Sequence, residues 1–375
     1  MVSAAVTAGF RSLGQATARA MALNAARRGS LGRSLLVHGP VGAGKGAFVE
    51  DLLALLMCTA PDRESRPCNA CRGCREARAR THPDLVLGSP DRWREMRSTG
   101  ESIVAAARRW LGEAAGAPIA AERRVVLIED ADRAGESIQN ALLKALEEPS
   151  DRHLFVLVAA DASRLLPTIL SRCQPLRVGS VPRTELAAWL VDHERLPSDQ
   201  ADALARLAGG LTGRAAGYAR DPDLLAWRRR AQAELLSLLF RGKADRFGSA
   251  RDLLDEASRR VGTIPAIAAE PDTTDDGEVA TPRTTSAVQR AAAAALVEVW
   301  LSLARDLLVA AAGMPAAANS TDILPDLPQT ARRLDLEELV NFVRLLQRIA
   351  DGLAQNAAPR LALEVAMLAW PTLES

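Results

Sequence analysis

Four cysteines in one short stretch carry the clearest chemical signal in this sequence. They follow the pattern C-x9-C-x2-C-x2-C and are Cys58, Cys68, Cys71 and Cys74. A C-x2-C turn presents two thiolates to one tetrahedral ion, so the pattern predicts a closed structural zinc site. The start of the chain shows no export signal, which favours a metal over disulfides. An iron–sulfur cluster, four metal-free thiols and a spare ligand in His82 are the alternatives.

A second stretch, residues 38–46, reads HGPVGAGKG and comes close to a phosphate-binding loop. Glycines in such a loop let successive backbone N–H groups turn toward phosphate oxygens, and the next helix adds its positive end. The predicted nucleotide-binding residues are Gly39, Gly42, Gly44, Lys45 and Gly46. Lys45 would reach the outer phosphates. The residue after this lysine should carry a hydroxyl that binds Mg²⁺, and Gly46 has none.

The second half of such a site would be an acidic pair at the end of a buried strand. The apolar run 123–130 ends in Glu129 and Asp130, whereas a hydrolytic site of this type has Asp before Glu. Each carboxylate is thereby displaced, and errors near 1 Å can lower a rate by about 100-fold. Four interpretations stay open, namely nucleotide binding without efficient turnover, no useful nucleotide binding, a competent ATPase, and a turn that only packs helix on strand.

Composition narrows the class of protein. The 375 residues are 48% hydrophobic and 25% charged, with a net charge of +1, as in ordinary soluble globular chains. No run reaches 18 apolar residues, so we expect no membrane span. The first 45 residues contain six basic residues and no acidic one. This bias is typical of a surface helix, of a helix that faces a polyanion, or of a mitochondrial transit peptide. We expect a helix near 15–28 and a cytoplasmic protein.

Strand and helix patterns alternate through the first half of the chain. Three apolar runs read as buried strands, at 34–40, 123–130 and 153–161. Residues 46–58 and 136–150 have helical spacing, and residues 165–178 read as a short helix followed by a strand. This alternation predicts a parallel sheet with helices on both faces. After Val178 the pattern becomes helical, and the Pro-, Asp- and Thr-rich stretch 265–286 reads as a flexible insertion.

Taken together, these motifs resemble the bacterial clamp-loader subunits of the AAA+ class. The resemblance covers about residues 14–220. It rests on the phosphate loop, on the cysteine module after its helix, and on the segments THPDLVL (81–87), RRVVLIEDADR (123–133), NALLKALEEPS (140–150) and LLPTILSRCQPL (165–176).

The resemblance implies an α/β fold with three domains. The first is a RecA-like AAA+ domain with a P-loop and an inserted zinc module, followed by a small helical lid domain and an all-α C-terminal collar domain for oligomerisation. We place these domains at 1–178, with the zinc module at 58–82, at 179–222, and at 223–375.

The same resemblance implies a subunit of the five-membered ring that loads the sliding clamp onto primed DNA for DNA polymerase III. Gly46 and the order Glu129-Asp130 fit the stator of that ring, which has little or no ATP hydrolysis of its own. In the family, the arginine of the SRC motif, here Arg172, acts in trans as an arginine finger at a neighbouring ATP site. Arg214 falls where the family places a lid arginine near the phosphates. Implied partners are the gamma/tau motor subunits, the delta subunit, the clamp and, without sequence preference, DNA.

Two other functions stay open at this point. A gamma/tau-type motor of the same assembly would carry the same cysteine module, but it should show Lys-Thr or Lys-Ser and then Asp-Glu. A zinc protein that binds nucleic acid directly would need an aromatic platform or a reading helix after its cysteines, which this sequence lacks. We therefore expect a subunit of the polymerase, a DNA-directed nucleotidyltransferase, rather than an efficient ATPase by itself. Zinc is the expected cofactor, and binding of ATP or ADP is left open.

Overall fold

The structure is a computed structural model that describes residues 9–147, 150–260, 285–320, 324–354 and 357–373. The chain divides into two compact units, residues 1–185 with 210–213, and residues 186–209 with 214–375. Most of the predicted insertion, residues 265–284, lies outside the described residues. The finer division into three domains stays a prediction.

The first unit is built on a five-stranded parallel sheet. Its strands are β1 (Ser34–His38), β2 (Leu85–Gly88), β3 (Arg124–Ile128), β4 (His153–Ala159) and β5 (Gln174–Arg177). Their order is β2-β3-β4-β1-β5, and every neighbouring pair is parallel. The predicted parallel α/β sheet is confirmed, with β1 lying between β4 and β5.

The described residues of this unit before residue 183 also form seven α-helices. They are α1 (Ala16–Arg27), α2 (Lys45–Leu56), α3 (Arg72–Arg78), α4 (Pro90–Glu95), α5 (Ile103–Ala114), α6 (Glu136–Glu147) and α7 (Pro167–Leu170). Alternate residues of a strand point to opposite faces, and β1 divides accordingly between two apolar clusters. Leu35 and Val37 pack with Phe48 of α2, whereas Leu36 packs with Ile138 of α6. Strands buried on both faces explain the continuous apolar runs in the sequence.

All the regular secondary structure in the described residues from Arg183 onward is helical. The helices from α8 onward are α8 (Arg183–Glu194), α9 (Ser198–Leu207), α10 (Thr212–Arg220), α11 (Pro222–Ser237), α12 (Lys243–Arg260), α13 (Thr285–Ala311), α14 (Leu327–Ala331), α15 (Leu336–Ala354) and α16 (Pro359–Ala369). The longest, α13, packs against α11, α12, α15 and α16 and buries Leu296, Trp300 and Leu303. None of the described helices is long and apolar enough to cross a membrane. The predicted all-helical character after Val178 is therefore confirmed.

Candidate functional site of the phosphate loop and the cysteine cluster

The phosphate loop joins β1 to α2 along a path that only glycine tolerates. Gly42 and Gly44 have φ angles of +82° and +88°, in the left-handed region. A Cβ on Gly39 would lie 1.8 Å from the carbonyl oxygen of Val178, and one on Gly44 would lie 2.2 Å from Oγ1 of Thr212. Gly39, Gly42 and Gly44, three of the four glycines that the sequence singles out, are thus required by the backbone.

Lys45, the first residue of α2, folds back over the loop. Its Nζ donates hydrogen bonds to the carbonyl oxygens of Gly39, at 2.7 Å, and Pro40, at 3.1 Å. Burial lowers the pKa of Lys45, while the nearby Asp132 and Asp130 act to raise it. The ammonium group is therefore hydrogen-bonded to carbonyl oxygens of the loop, and these bonds would have to break before it could reach a phosphate.

Neither member of the acidic pair is free of a partner. The carboxylate of Glu129 accepts a hydrogen bond from Nη1 of Arg80 at 2.8 Å. Asp130 has a φ of +50° and lies 3.3 Å from Nη1 of Arg133. Burial raises the pKa of Asp130, the Arg133 cation opposes that rise, and the neighbouring Asp132 carboxylate adds to it. Both side chains that would support a metal or a water molecule are held by arginines.

Gly46 leaves open space where a hydroxyl would bind Mg²⁺. Nothing lies within 4 Å of the position that a Cβ on Gly46 would take, and its φ lies outside the left-handed region. A side chain would therefore fit here. The loop keeps backbone N–H groups and a helix N-terminus that can cradle an anion. It lacks the side chain that would hold the anion's counter-cation.

Asp132 was missed by sequence reasoning and ties two strand ends together. It lies in the 3₁₀ turn Ala131–Arg133 after β3 and is 6% exposed. Its Oδ2 accepts hydrogen bonds from the backbone N–H groups of Ala160, at 3.1 Å, and Asp161, at 3.0 Å. Its Oδ1 is buried without a hydrogen-bond partner among the described residues. In the sequence, the one signal for Asp132 is that it is a third acidic residue directly after the pair Glu129-Asp130.

The segment 210–213 packs against the phosphate loop. The hydroxyl of Thr212 donates to the carbonyl oxygen of Ala43 at 3.0 Å. A Cβ on Gly213 would lie 3.1 Å from the carbonyl oxygen of Gly42. Arg214, the next residue, forms an ion pair with Glu298 within the helical unit. Its predicted place near the phosphates stays a prediction.

Arg172 lies at the surface just after α7. Its Nη2 forms an ion pair with Oε1 of Glu147 at 2.7 Å, and its Nη1 donates to the carbonyl oxygen of Thr168 at 2.9 Å. The side chain is 34% exposed. The next residue, Cys173, packs in the core, and burial raises the pKa of its thiol to about 11. Arg172 and Ser171 are thus exposed, whereas Cys173 is buried.

The four clustered cysteines converge on one point. Their Sγ atoms all lie within 4.8 Å of one another. The Sγ atoms of Cys58 and Cys71 are 3.9 Å apart, and those of Cys68 and Cys74 are 4.0 Å apart. Zinc–sulfur bonds near 2.3 Å in a tetrahedron imply sulfur–sulfur distances of about 3.8 Å. The group therefore has the spacing to hold a metal ion. His82 is not part of the group, since its Nδ1 accepts from the backbone N–H of Asp84 at 3.1 Å.

Local backbone structure brings the sulfurs together. Cys71 caps α3, and its Sγ accepts from the backbone N–H of Cys74 at 3.3 Å. Burial acts to raise the pKa of Cys71, but backbone N–H donors outweigh it and lower the pKa to about 6. A Cβ on Gly73 would lie 2.1 Å from the carbonyl oxygen of Met57, so α3 approaches the end of α2 closely only because this residue is glycine.

A buried carboxylate in the middle of α2 links the loop helix to the cysteine module. Asp51 is fully buried and accepts hydrogen bonds from the backbone N–H groups of Arg11, at 2.9 Å, and Ser12, at 2.7 Å. It also forms an ion pair with Arg78 of α3 at 2.7 Å. The N-terminal segment, α2 and α3 are therefore joined through one side chain, which the sequence alone did not single out.

Residues 14–182 match the family model described as "DNA polymerase III, delta subunit". A DNA polymerase III subunit delta' from Pseudomonas aeruginosa is 35% identical over 179 residues, which are 47% of this chain and 52% of the relative. A DNA polymerase III subunit tau from Escherichia coli is 33% identical over 147 residues, which are 38% of this chain and 22% of the relative. The RuvB Holliday junction branch migration motor of Thermotoga maritima is 20% identical over 56% of this chain and 61% of its own, with a TM-score of 0.36.

This chain matches about half the length of the delta' relative. The matched region contains the phosphate loop, the cysteine cluster and the SRC motif. Over that region the chain is similar to DNA polymerase III subunit delta' proteins.

Proposed function

We propose that this chain is the stator of a clamp loader. In this role it occupies the delta-prime position beside gamma/tau motor subunits and the delta subunit of a DNA polymerase III assembly. It helps to load the sliding clamp onto primed DNA, and it contacts DNA through the assembly without sequence preference. Similarity to both delta' and tau subunits supports membership of such an assembly.

The observation that carries the stator role is the state of the phosphate loop. Lys45 is bonded to loop carbonyls, and Glu129 and Asp130 are each held by an arginine. Phosphoryl transfer needs a cation that bridges the phosphates and a group that orients the attacking water. Gly46 supplies no ligand for that cation, and Glu129 and Asp130, which are paired with arginines, are not free to orient the water. We therefore expect weak nucleotide binding at most, and little or no turnover.

Arg172 is the residue through which this stator would act on a neighbour. A finger must lie at the surface and must exchange its resting partner for a phosphoryl group. The ion pair of Arg172 with Glu147 is partly exposed, and such pairs contribute only about 0–1 kcal/mol. A finger supplied in trans raises the rate of phosphoryl transfer by roughly 10³–10⁵-fold in related systems.

We assign zinc to the cysteine cluster, with Cys58, Cys68, Cys71 and Cys74 as its four ligands. Four thiolates in tetrahedral spacing suit zinc and leave no open coordination position, so the ion would supply a structural cross-link and no catalysis. Metal analysis of protein purified without chelator tests this assignment directly, with one zinc per chain as the expected result.

The first experiment measures ATP hydrolysis by the isolated full-length chain. We expect no turnover above background, with or without Mg²⁺. Hydrolysis at the rate of a motor subunit would replace the stator role with the motor role. Direct titration with ATP and ADP, followed by fluorescence of a labelled analogue, measures how much binding the loop retains.

The second experiment reconstitutes the loader with its motor and delta subunits and compares Arg172→Ala with Arg172→Lys. We expect the alanine variant to lower clamp- and DNA-stimulated ATPase at least tenfold and to abolish clamp loading, while its melting temperature is unchanged. Glu147→Gln, which frees the guanidinium, should leave the activity intact. Arg108→Ala, an exposed arginine of α5, is the charge-matched control. Full activity of the Arg172→Ala loader would exclude the finger role.

A further inference from the structure

A cavity of about 200 Å³ lies beside the cysteine module, within the first unit. It opens between the end of α1, the end of α2 and the first residues of β3 and β4. Its floor is apolar and includes Leu31, Leu55, Leu56, Val125 and Leu154. Leu31 and Leu56 pack against the core but are only partly buried, so the cavity leaves part of their apolar surface exposed. Pockets for drug-sized ligands measure about 300–1,000 Å³. This one therefore fits one or two side chains rather than a whole small molecule.

The rim of the cavity is cationic. It contains Arg63, Arg66 and Arg123, with Glu122 as the one carboxylate of the lining. Arg66 is engaged, because its Nε donates to the carbonyl oxygen of Ala60 at 2.7 Å and its Nη1 lies 3.6 Å from Glu122. Glu122 is 70% exposed, so its attraction for the rim cations is well screened.

Two of the rim guanidinium groups are unused. Neither Arg63 nor Arg123 makes a side-chain hydrogen bond or an ion pair with any residue that the structure describes. Each guanidinium offers five N–H donors in a planar fork that matches a carboxylate. An apolar floor with two unpaired guanidinium groups at its edge is complementary to a peptide in which acidic residues flank one apolar residue.

The arm that carries Arg63 is held in place from several directions. It is the nine-residue loop between the first two cysteine ligands, and its 3₁₀ turn is capped by Asp62, which accepts from the backbone N–H of Glu64 at 3.0 Å. Glu64 also forms an ion pair with Arg27 of α1 at 3.0 Å. Nη1 of Arg63 lies over Gly29, 3.3 Å from where a Cβ would stand. The guanidinium is thus displayed on an ordered arm rather than on a free loop.

We propose that the arginine-rimmed cavity, defined by Arg63, Arg123 and the apolar floor at Leu31 and Leu56, binds an acidic peptide segment of a partner protein. One apolar side chain of that segment enters the cavity, and flanking carboxylates pair with the two free guanidinium groups. The cysteine cluster serves this site by anchoring the arm that bears Arg63. Nucleic acid fits less well, because the lining contains no aromatic ring on which a base could stack and an apolar floor would stay wet.

Fluorescence anisotropy of the full-length, metal-loaded chain tests this inference. The probe is a pool of fluorescein-labelled heptapeptides with Leu, Ile, Met or Phe at the centre and Asp or Glu at the other positions. A second pool with Asn and Gln in place of the acids is the control. We expect the acidic pool to bind and the neutral pool to bind at least about tenfold more weakly, since charge-assisted bidentate contacts carry the recognition. A third pool with Ser at the centre should also lose at least about tenfold.

Variants assign the binding to this cavity. Arg63→Ala with Arg123→Ala should weaken the acidic pool by at least about tenfold, whereas Arg108→Ala with Arg251→Ala, which removes two exposed arginines elsewhere, should change it less than about twofold. Glu122→Gln should tighten binding, because it removes the competing carboxylate. Equal binding of the acidic and neutral pools, equal losses in the two double variants, or preferential binding of an oligothymidylate by the two rim arginines would each overturn the proposal. Clamp loading is not part of this assay, so its outcome is independent of the stator role.

Discussion

The cysteine cluster and the phosphate loop lie at the two ends of α2, about 18 Å apart along a twelve-residue helix. The cluster has a full set of ligands, with four Sγ atoms within 4.8 Å of one another. The loop has the backbone shape for phosphate but no side chain at Gly46, and its acids are held by arginines. The comparison teaches that the shape of an ion site and its ligand chemistry are separable properties of a sequence.

The physical reason lies in what else each group can bind. A loop carboxylate can be satisfied by an arginine, as Glu129 is by Arg80, so a loop can lose its cation and stay stable. Four convergent thiols have no cationic partner of this kind among the described residues, where their other contacts are backbone N–H groups, the side chain of Thr59 and the carbonyl oxygen of Ala54. We therefore expect the cluster to depend on its ion far more than the loop depends on nucleotide.

The largest effect should come from breaking the complete site. Cys74→Ser removes a buried ligand and should reduce bound metal from one ion per chain to none. The free energy of metal binding is folding free energy, so we expect a loss of about 5 kcal/mol or more. Elemental analysis measures the metal, and denaturant unfolding measures the stability.

Cys173→Ser is the matched control for that variant. This buried thiol packs in the apolar core on the α6 side of the sheet, away from the four cysteine ligands. It should keep its metal and lose only about 1–3 kcal/mol, the cost of burying a hydroxyl. A Cys74→Ser protein that retained one tightly bound ion would show that three thiolates and an outside ligand suffice, and the contrast between the two sites would weaken.

The next effect concerns the link between the two regions. Asp51→Asn leaves Arg78 without its buried partner and weakens two backbone hydrogen bonds, so we expect a loss of about 3–5 kcal/mol. Urea unfolding checks the value, with Glu50→Gln, the neighbouring acid in α2, as control. An unchanged midpoint for Asp51→Asn would mean that α2 and the cysteine module are held together by the metal alone.

The sequence predicted the parts of both regions that local pattern determines. Four cysteines at short spacing and apolar runs buried on both faces need no knowledge of distant partners. Asp51 and Asp132 were missed because an acid in a helix or turn looks like a surface residue until its partners are known. Arg11 lies 40 residues from Asp51, and Ala160 lies 28 from Asp132. The short strand β2 was missed for a related reason, since three of its four residues are only partly buried.

A smaller effect on stability is expected from Asp84, a carboxylate that accepts hydrogen bonds from backbone N–H groups, whereas Glu129 and Asp130 are paired with arginines. Asp84 is buried and accepts from the backbone N–H groups of Ile119, at 2.6 Å, Ala120, at 2.7 Å, and Ala121, at 2.7 Å. Burial acts to raise its pKa, but these donors outweigh it and hold the pKa below its usual value. Stability from this group is therefore present above the unfolded pKa of about 3.9 and is lost as pH falls through the folded pKa.

Asp84→Asn should remove about 1–3 kcal/mol at pH 7, because the amide accepts these bonds less strongly and brings two unmatched donors. It should also flatten the acid limb of stability below about pH 4. Urea unfolding between pH 7 and pH 3 gives both quantities, and the exposed Glu95→Gln is the control. An acid limb as steep as that of the unmodified chain would assign the dependence to other carboxylates.

The smallest effect tests whether the loop's missing side chain is a matter of space. Gly46→Ala should raise stability by about 0.5 kcal/mol, because glycine costs helical entropy and nothing lies near the new methyl group. Gly44→Ala should do the opposite, since its φ of +88° and the Thr212 hydroxyl both exclude a Cβ. Thermal unfolding distinguishes the two.

Gly46→Thr then places the absent hydroxyl in the same space and asks what else is missing. If the ligand alone were lacking, Mg²⁺ should now tighten ADP binding and ATP hydrolysis should appear. We expect tighter binding without turnover, because Glu129 and Asp130 stay paired with arginines and keep their reversed order. Brisk hydrolysis by Gly46→Thr would place the loop a single side chain away from a working site, and the difference between the two ends of α2 would reduce to that one hydroxyl.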